Sequence, residues 1–162
     1  AGFRDDQILE CHGSIHWLQA VKPANQSAIW TAEGVDVDVD ETTVKAIGPL
    51  PKDPVLGGLA RPNILMFGDW SWLSNRCDEQ EHRFTRFLEN RLSDNGSWAV
   101  IELGAGTAVP TVRRQSEYCM QLGAKLIRIN PREDHGPMGT IGIKESALSA
   151  LLVINDRLRS SN

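Results

Sequence analysis

Between residues 98 and 129 an apolar strand, a glycine turn, a helix and a second strand follow in that order, and few folds admit the sequence. Residues 98–103 are apolar except for Glu102, and Gly104-Ala105-Gly106 then turns the chain. Pro110 stands where a helix's first turn tolerates the missing N–H. Val112, Cys119 and Leu122 mark a helix stopping at Gly123, and residues 125–129 form the second strand. This unit predicts α/β architecture, a partial Rossmann-like parallel sheet with helices. A closing helix carrying Leu148, Leu151, Leu152 and Leu158 is expected over 146–158.

The earlier residues are less regular. Residues 8–11 read as a short strand whose C-terminal end presents His12, and 15–18 as a second strand. From 21 to 56 prolines and glycines interrupt the chain with no helical period, so a small irregular or β lobe is expected over about 20–58. Trp17, Ile29, Trp30 and Val44 would hold it. Residues 64–67 suit a buried strand or an extended segment. Phe84, Phe87, Leu88 and Leu92 repeat at helical spacing within 78–92. With 162 residues the chain suits one domain carrying that inserted lobe.

Composition narrows the function classes. The formal net charge is −4 and the isoelectric point about 5.5, so no overall basic surface argues for nucleic acid. No apolar run approaches the roughly 18 residues of a membrane span. Cys11, Cys77 and Cys119 are few, odd in number and widely spaced, which fits a reducing cytoplasm better than a disulfide framework.

Two groups of residues suit chemistry. A glycine turn between a parallel strand and a helix lets a ligand approach bare backbone, and Asn130 ends the next strand, where a ribose hydroxyl is usually read. The plain alternative is a structural turn with Thr107 capping the helix. His12, followed by Gly13, carries an imidazole suited to general-base work, although a lone His is more often structural. His16 lies four residues on, but that metal-pair spacing needs a helix, which Gly13 argues against. Asp36, Asp38 and Asp40 imitate the opening of a calcium loop. Glu41 and Ile47 stand where that loop needs Gly and Glu, so calcium is rejected.

The blocks Glu-Cys-His-Gly-Ser-Ile-His at 10–16, Arg-Pro-Asn-Ile-Leu-Met-Phe-Gly-Asp at 61–69 and Gly-Ala-Gly-Thr-Ala-Val-Pro at 104–110, with Ile-Asn-Pro at 129–131, together resemble the catalytic half of a sirtuin, the NAD-dependent protein deacylases. The resemblance implies that His12 is the base acting on a ribose hydroxyl of NAD, the co-substrate. It implies that Gly104, Ala105, Gly106, Asn130 and Pro131 contact the adenosine side. Ile64, Met66, Phe67 and Gly68 would hold an acyl-lysine protein or peptide as an added strand. Ala105 and Gly106 replace the family's Thr and Ser, and Asp69 replaces its usual Glu. Trp70 and Trp72 would wall an acyl tunnel or simply pack.

Two departures follow from the same comparison. Most sirtuins hold zinc in the inserted lobe with two cysteine pairs; here those positions fall on Ala20, Ala24, Asp53 and Leu56, so no zinc is expected. The family's phosphate-cradling first turn and its nicotinamide loop lie upstream of residue 1, so the chain corresponds to the C-terminal part of a family domain. An exposed sheet edge would then offer pairing with a second copy, and the chain by itself is expected to be inactive. A sirtuin-like ADP-ribosyltransferase or NAD hydrolase, and a non-enzymatic partner-binding remnant, stand as alternatives.

Overall fold

A computed structural model describes residues 2–24, 28–94 and 96–160. The chain divides into two compact units, residues 1–85 and 86–162.

The first unit is antiparallel. A short 3-10 turn (Asp5–Gln7) precedes β1 (Gly13–Ala20), which lies between β2 (Ile29–Thr31) and β5 (Ala60–Ile64). β1 pairs with β5 in two stretches separated by an irregularity between Ser14 and Leu18. β3 (Asp38–Asp40) and β4 (Lys45–Ile47) form a separate hairpin, with Asp38, Val39 and Asp40 of the alternating Asp-Val run as one arm. Asp40 Oδ1 accepts the Thr42 and Thr43 N–H groups at 2.8 and 2.9 Å, closing that turn. α1 (Asn75–Ser93) carries the chain into the second unit.

Several expectations for this unit are corrected. Residues 8–11 form no strand. The chain instead turns at Glu10–Gly13, and His12 precedes β1 rather than ending a strand. The 64–67 strand is really β5, which stops at Ile64, because Pro62 and Asn63 already belong to the pairing with β1. Val44 holds no lobe together: it is 80% exposed, at a positive φ of 54°. β2, which carries Ile29 and Trp30, joins β1 and so ties the lobe to the unit's main sheet.

The second unit is the parallel part. β6 (Ala99–Leu103), β7 (Lys125–Ile129) and β8 (Ile141–Ile143) run parallel in the order β6-β7-β8. α2 (Thr111–Gln121) makes the crossover and packs on β6 and β7. Its buried face is Arg113, Ser116 and Cys119, while Val112 is half exposed. α3 (Ala147–Ser160) runs over the expected range and buries Ala150. Leu148, Leu152 and Leu158 stay mostly exposed.

Between the sheet and α2 lies a charge network instead of a purely apolar layer. Glu102 and Arg128 face each other in register. Arg128 donates to Glu102 through Nε and through Nη2, the latter at 2.9 Å, to Glu117 at 3.0 Å, and to the His135 carbonyl at 2.7 Å. Burial works against the Arg128 charge, but the Glu102 and Glu117 carboxylates outweigh it and hold its pKa above the ordinary value. Removing one member would strand a buried charge, a loss of about 3–5 kcal/mol. This is why Glu102 can interrupt an otherwise apolar strand.

Candidate functional site

His12 occupies the third position of a turn in which the Gly13 N–H donates to the Glu10 carbonyl at 2.8 Å. Gly13 has a φ of +80°, and a Cβ there would stand 1.9 Å from the Asn63 carbonyl oxygen. Only glycine lets β1 leave the turn so close to β5. The His12 carbonyl accepts the Leu65 N–H at 2.9 Å, so the residue after β5 is tied to the turn. The imidazole is half-buried, and Cys11 Sγ lies 3.8 Å from its Nδ1. Burial raises the pKa of the Cys11 and Cys77 thiols, which suits neither a thiolate nucleophile nor a metal ligand.

Residues 64–70 follow the turn. The Arg61 guanidinium pairs with Asp69 at 2.6 Å and donates to the Ile64 carbonyl at 3.2 Å, closing the segment into a loop. Gly68 turns it at a φ of +67°. Beneath lies a buried amide pair: Asn63 Nδ2 donates to Gln19 Oε1 at 2.8 Å and to the Leu73 carbonyl at 2.9 Å, and Gln19 Nε2 donates to the Ser71 carbonyl at 2.7 Å. On this braced loop Met66 is 60%, Phe67 93% and Trp70 98% exposed, while Ile64 and Trp72 are half-buried. An exposed apolar loop held by buried polar bonds suits recognition better than core packing.

In the second unit Gly104 leaves β6 at a φ of +68°, with open space where a Cβ would stand. Asn130 is nearly buried, and its amide is already engaged. Its Nδ2 donates to the Ala105 carbonyl at 3.2 Å, and its Oδ1 accepts the Arg132 and Glu133 N–H groups, both at 2.9 Å. Asn130 therefore joins the glycine turn to the loop that begins at Pro131. Thr107 caps no helix, since α2 begins at Thr111 after Pro110. Its N–H and hydroxyl instead donate to the Glu133 carboxylate, the N–H at 3.0 Å. Arg113 braces the same loop, donating to the Ala105 and Glu133 carbonyls at 3.2 and 3.0 Å and to the His135 carbonyl.

These contacts test how the turn fits a nucleotide. Glu133 fills the Gly106–Thr107 side with negative charge, so that side does not cradle a phosphate. The bare backbone at Gly104 remains open to a neutral group such as a nucleoside edge.

Two residues here carry signals that the sequence reading passed over. Glu133 is an acid just past the end of the second parallel strand, the usual place for a ribose or turn partner. Gln80 is a polar residue on the same helical stripe as Cys77, Phe84 and Leu88, and it is buried.

A cavity of about 740 Å3 lies in the first unit, lined by Ser14, Trp17, Ile29, Arg76 and Arg83 among others. His12 is not among its lining residues, so this hollow and the candidate base do not coincide. Asp53, the one potential ligand in the expected zinc positions, accepts the Val55 and Leu56 N–H groups at 2.8 and 3.0 Å and so closes its own loop. Among the described residues no cluster of three or more His, Cys, Asp or Glu could hold a metal. No described helix is long and apolar enough to cross a membrane.

Comparison with solved structures then decides the fold. A sirtuin solved in work on the structural basis of sirtuin substrate affinity superposes with a TM-score of 0.56 at 20% identity, covering 92% of this chain and 56% of that one. The fold is sirtuin-like. A Sir2 complex with a p53 peptide and NAD+ gives 0.55 at 20% identity, covering 92% and 54%. The chain thus spans little more than half the length of these structures. No family model and no curated relative matches the sequence.

Proposed function

We propose that the chain belongs to an NAD-dependent enzyme that removes acyl groups from protein lysines, with His12 as general base. The observation that carries this is the clamped Glu10–Gly13 turn. It presents an imidazole from a rigid frame immediately before a strand, in a sirtuin-like fold. In this reading the acyl-lysine amide oxygen displaces nicotinamide from NAD, and His12 then takes a proton from a ribose hydroxyl. Ile64, Met66, Phe67 and Gly68 hold the peptide by backbone pairing, with Phe67 and Trp70 offering apolar surface beside it. Gly104, Ala105, Gly106, Asn130 and Pro131 form the nucleotide turn. The engaged amide of Asn130 acts chiefly by shaping that turn, and Glu133 stands beside it as a further acceptor.

The supports are the fold, the clamped His12, the open Gly104 and the exposed loop. An NAD-dependent solved structure of the same fold, bound to a peptide, adds weight. In this proposal the chain is the C-terminal portion of a catalytic domain, with a zinc-free lobe over about 20–58. The test is His12→Ala in the full-length protein. Acetyl-lysine peptide turnover with NAD should vanish while the thermal transition stays within about 2–4 °C of the parent. Retention of more than about a few per cent of activity would refute the role of His12.

One observation favours a second reading, a binding module without chemistry. Ile101, Ile127 and Ile141 stand in one cross-strand row of the parallel sheet, with Ile101 and Ile141 half exposed. A parallel sheet is normally covered on both faces, so this row suits a second layer, from a partner copy or another segment.

A further inference from the structure

Glu10, two residues before His12, is gripped from one side by a single helix. Gln80 of α1 accepts the Glu10 N–H through Oε1 at 2.8 Å and donates through Nε2 to the Glu10 carboxylate at 3.3 Å. Cys77, one turn earlier, donates its thiol to the Glu10 carbonyl at 3.0 Å. Arg76 pairs with the same carboxylate while its guanidinium lies 4.6 Å from the centre of the Trp17 ring. Every polar group of Glu10 is therefore held by residues 66–70 positions away in sequence. The Glu10 carbonyl also accepts the Gly13 N–H that closes the turn around His12. Gln80 is 6% and Cys77 also 6% exposed, so both bonds form where unmade polar groups are costly.

We infer that α1 positions the His12 imidazole through Glu10, and that Gln80 is the principal positioning residue. This rests on the reading of His12 as base. Gln80 touches neither the imidazole nor, in that reading, any reacting atom; it fixes the anchor from which the turn departs. The helix bearing Gln80 follows the braced loop of residues 64–74. Its N-terminal turn is thus coupled through the chain to the segment proposed to hold peptide. A base displaced by about 1 Å loses on the order of a hundredfold in rate, so a helix setting its anchor sets the rate without touching substrate.

The test is Gln80→Leu, of similar size and without hydrogen bonds, in the full chain. NMR would follow the His12 ring signal and the exchange of the Gly13 amide, with the Leu18 amide in β1 as reference. The expected result is a displaced or split His12 signal and Gly13 exchange faster by about tenfold or more, with Leu18 within about twofold. Where the protein turns over acyl-lysine peptide with NAD, kcat should fall by about tenfold to a hundredfold with the peptide KM within about twofold. Cys77→Ala should shift the His12 signal in the same direction, and Cys77→Ser, which keeps a donor, should restore it. That pair decides the matter if Gln80→Leu fails to fold. An unmoved His12 signal with parental Gly13 exchange would overturn the inference, as would equal acceleration of Leu18, which marks general loosening. An inactive full-length parent counts against the catalytic reading alone, and the NMR result still judges the positioning.

Discussion

Gly13 shows how much one missing atom can decide. The strand must leave the His12 turn at a positive φ, and the Asn63 carbonyl stands where a Cβ would go. Gly13→Ala should therefore destabilise the protein by about 2–5 kcal/mol, from left-handed backbone plus a clash that backbone alone can relieve. Urea unfolding would measure it, and a loss below about 1 kcal/mol would show that the β1–β5 approach yields more easily than its geometry implies. His12 was legible as a residue because an imidazole beside a glycine is conspicuous. Its setting was not, because the contacts that hold Glu10 come from Arg76, Cys77 and Gln80, far along the chain. Local pattern around residues 8–11 suggested an apolar strand, while long-range hydrogen bonds favoured a turn.

At the scale of elements, the parallel unit was the most readable part. β6, β7 and α2 lie within a residue or two of where apolar runs, Pro110 and Gly123 placed them. β8 was missed: three residues with Gly142 in the middle carry no strand signal, and its place is set by pairing with β7. The role of Thr107 was missed for a related reason, since its partner Glu133 belongs to the loop after β7. The Thr107 hydrogen bonds come first in lowering the Glu133 pKa below its ordinary value of 4.5. A depressed carboxyl favours the folded turn above that ordinary value, and the contribution fades as pH falls through the lower folded value. The Thr107 amide signal should accordingly titrate with a midpoint below 4.5. A midpoint at or above 4.5 would show that the Glu133 carboxylate does not hold the turn in solution.

For the whole molecule, the fold class was legible and is sirtuin-like, while the activity is a matter of chemistry on named groups. Periodicity could reveal an α/β chain because parallel strands and their crossover helix leave local apolar patterns. It could not reveal which apolar residues stand exposed: Phe67 and Trp70 look like core residues in a sequence, and the loop that carries them is held by the Arg61–Asp69 pair and the Gln19–Asn63 amides. The account stands on acyl transfer from lysine to NAD-derived ribose with His12 as base. The most direct measurement is the mass of an acetyl-lysine peptide after incubation with NAD and the full-length protein, beside its His12→Ala variant. The account predicts loss of the acetyl group only when both NAD and His12 are present. An unchanged peptide with ADP-ribose attached to a protein acceptor, or acetyl loss that persists without His12, would contradict it.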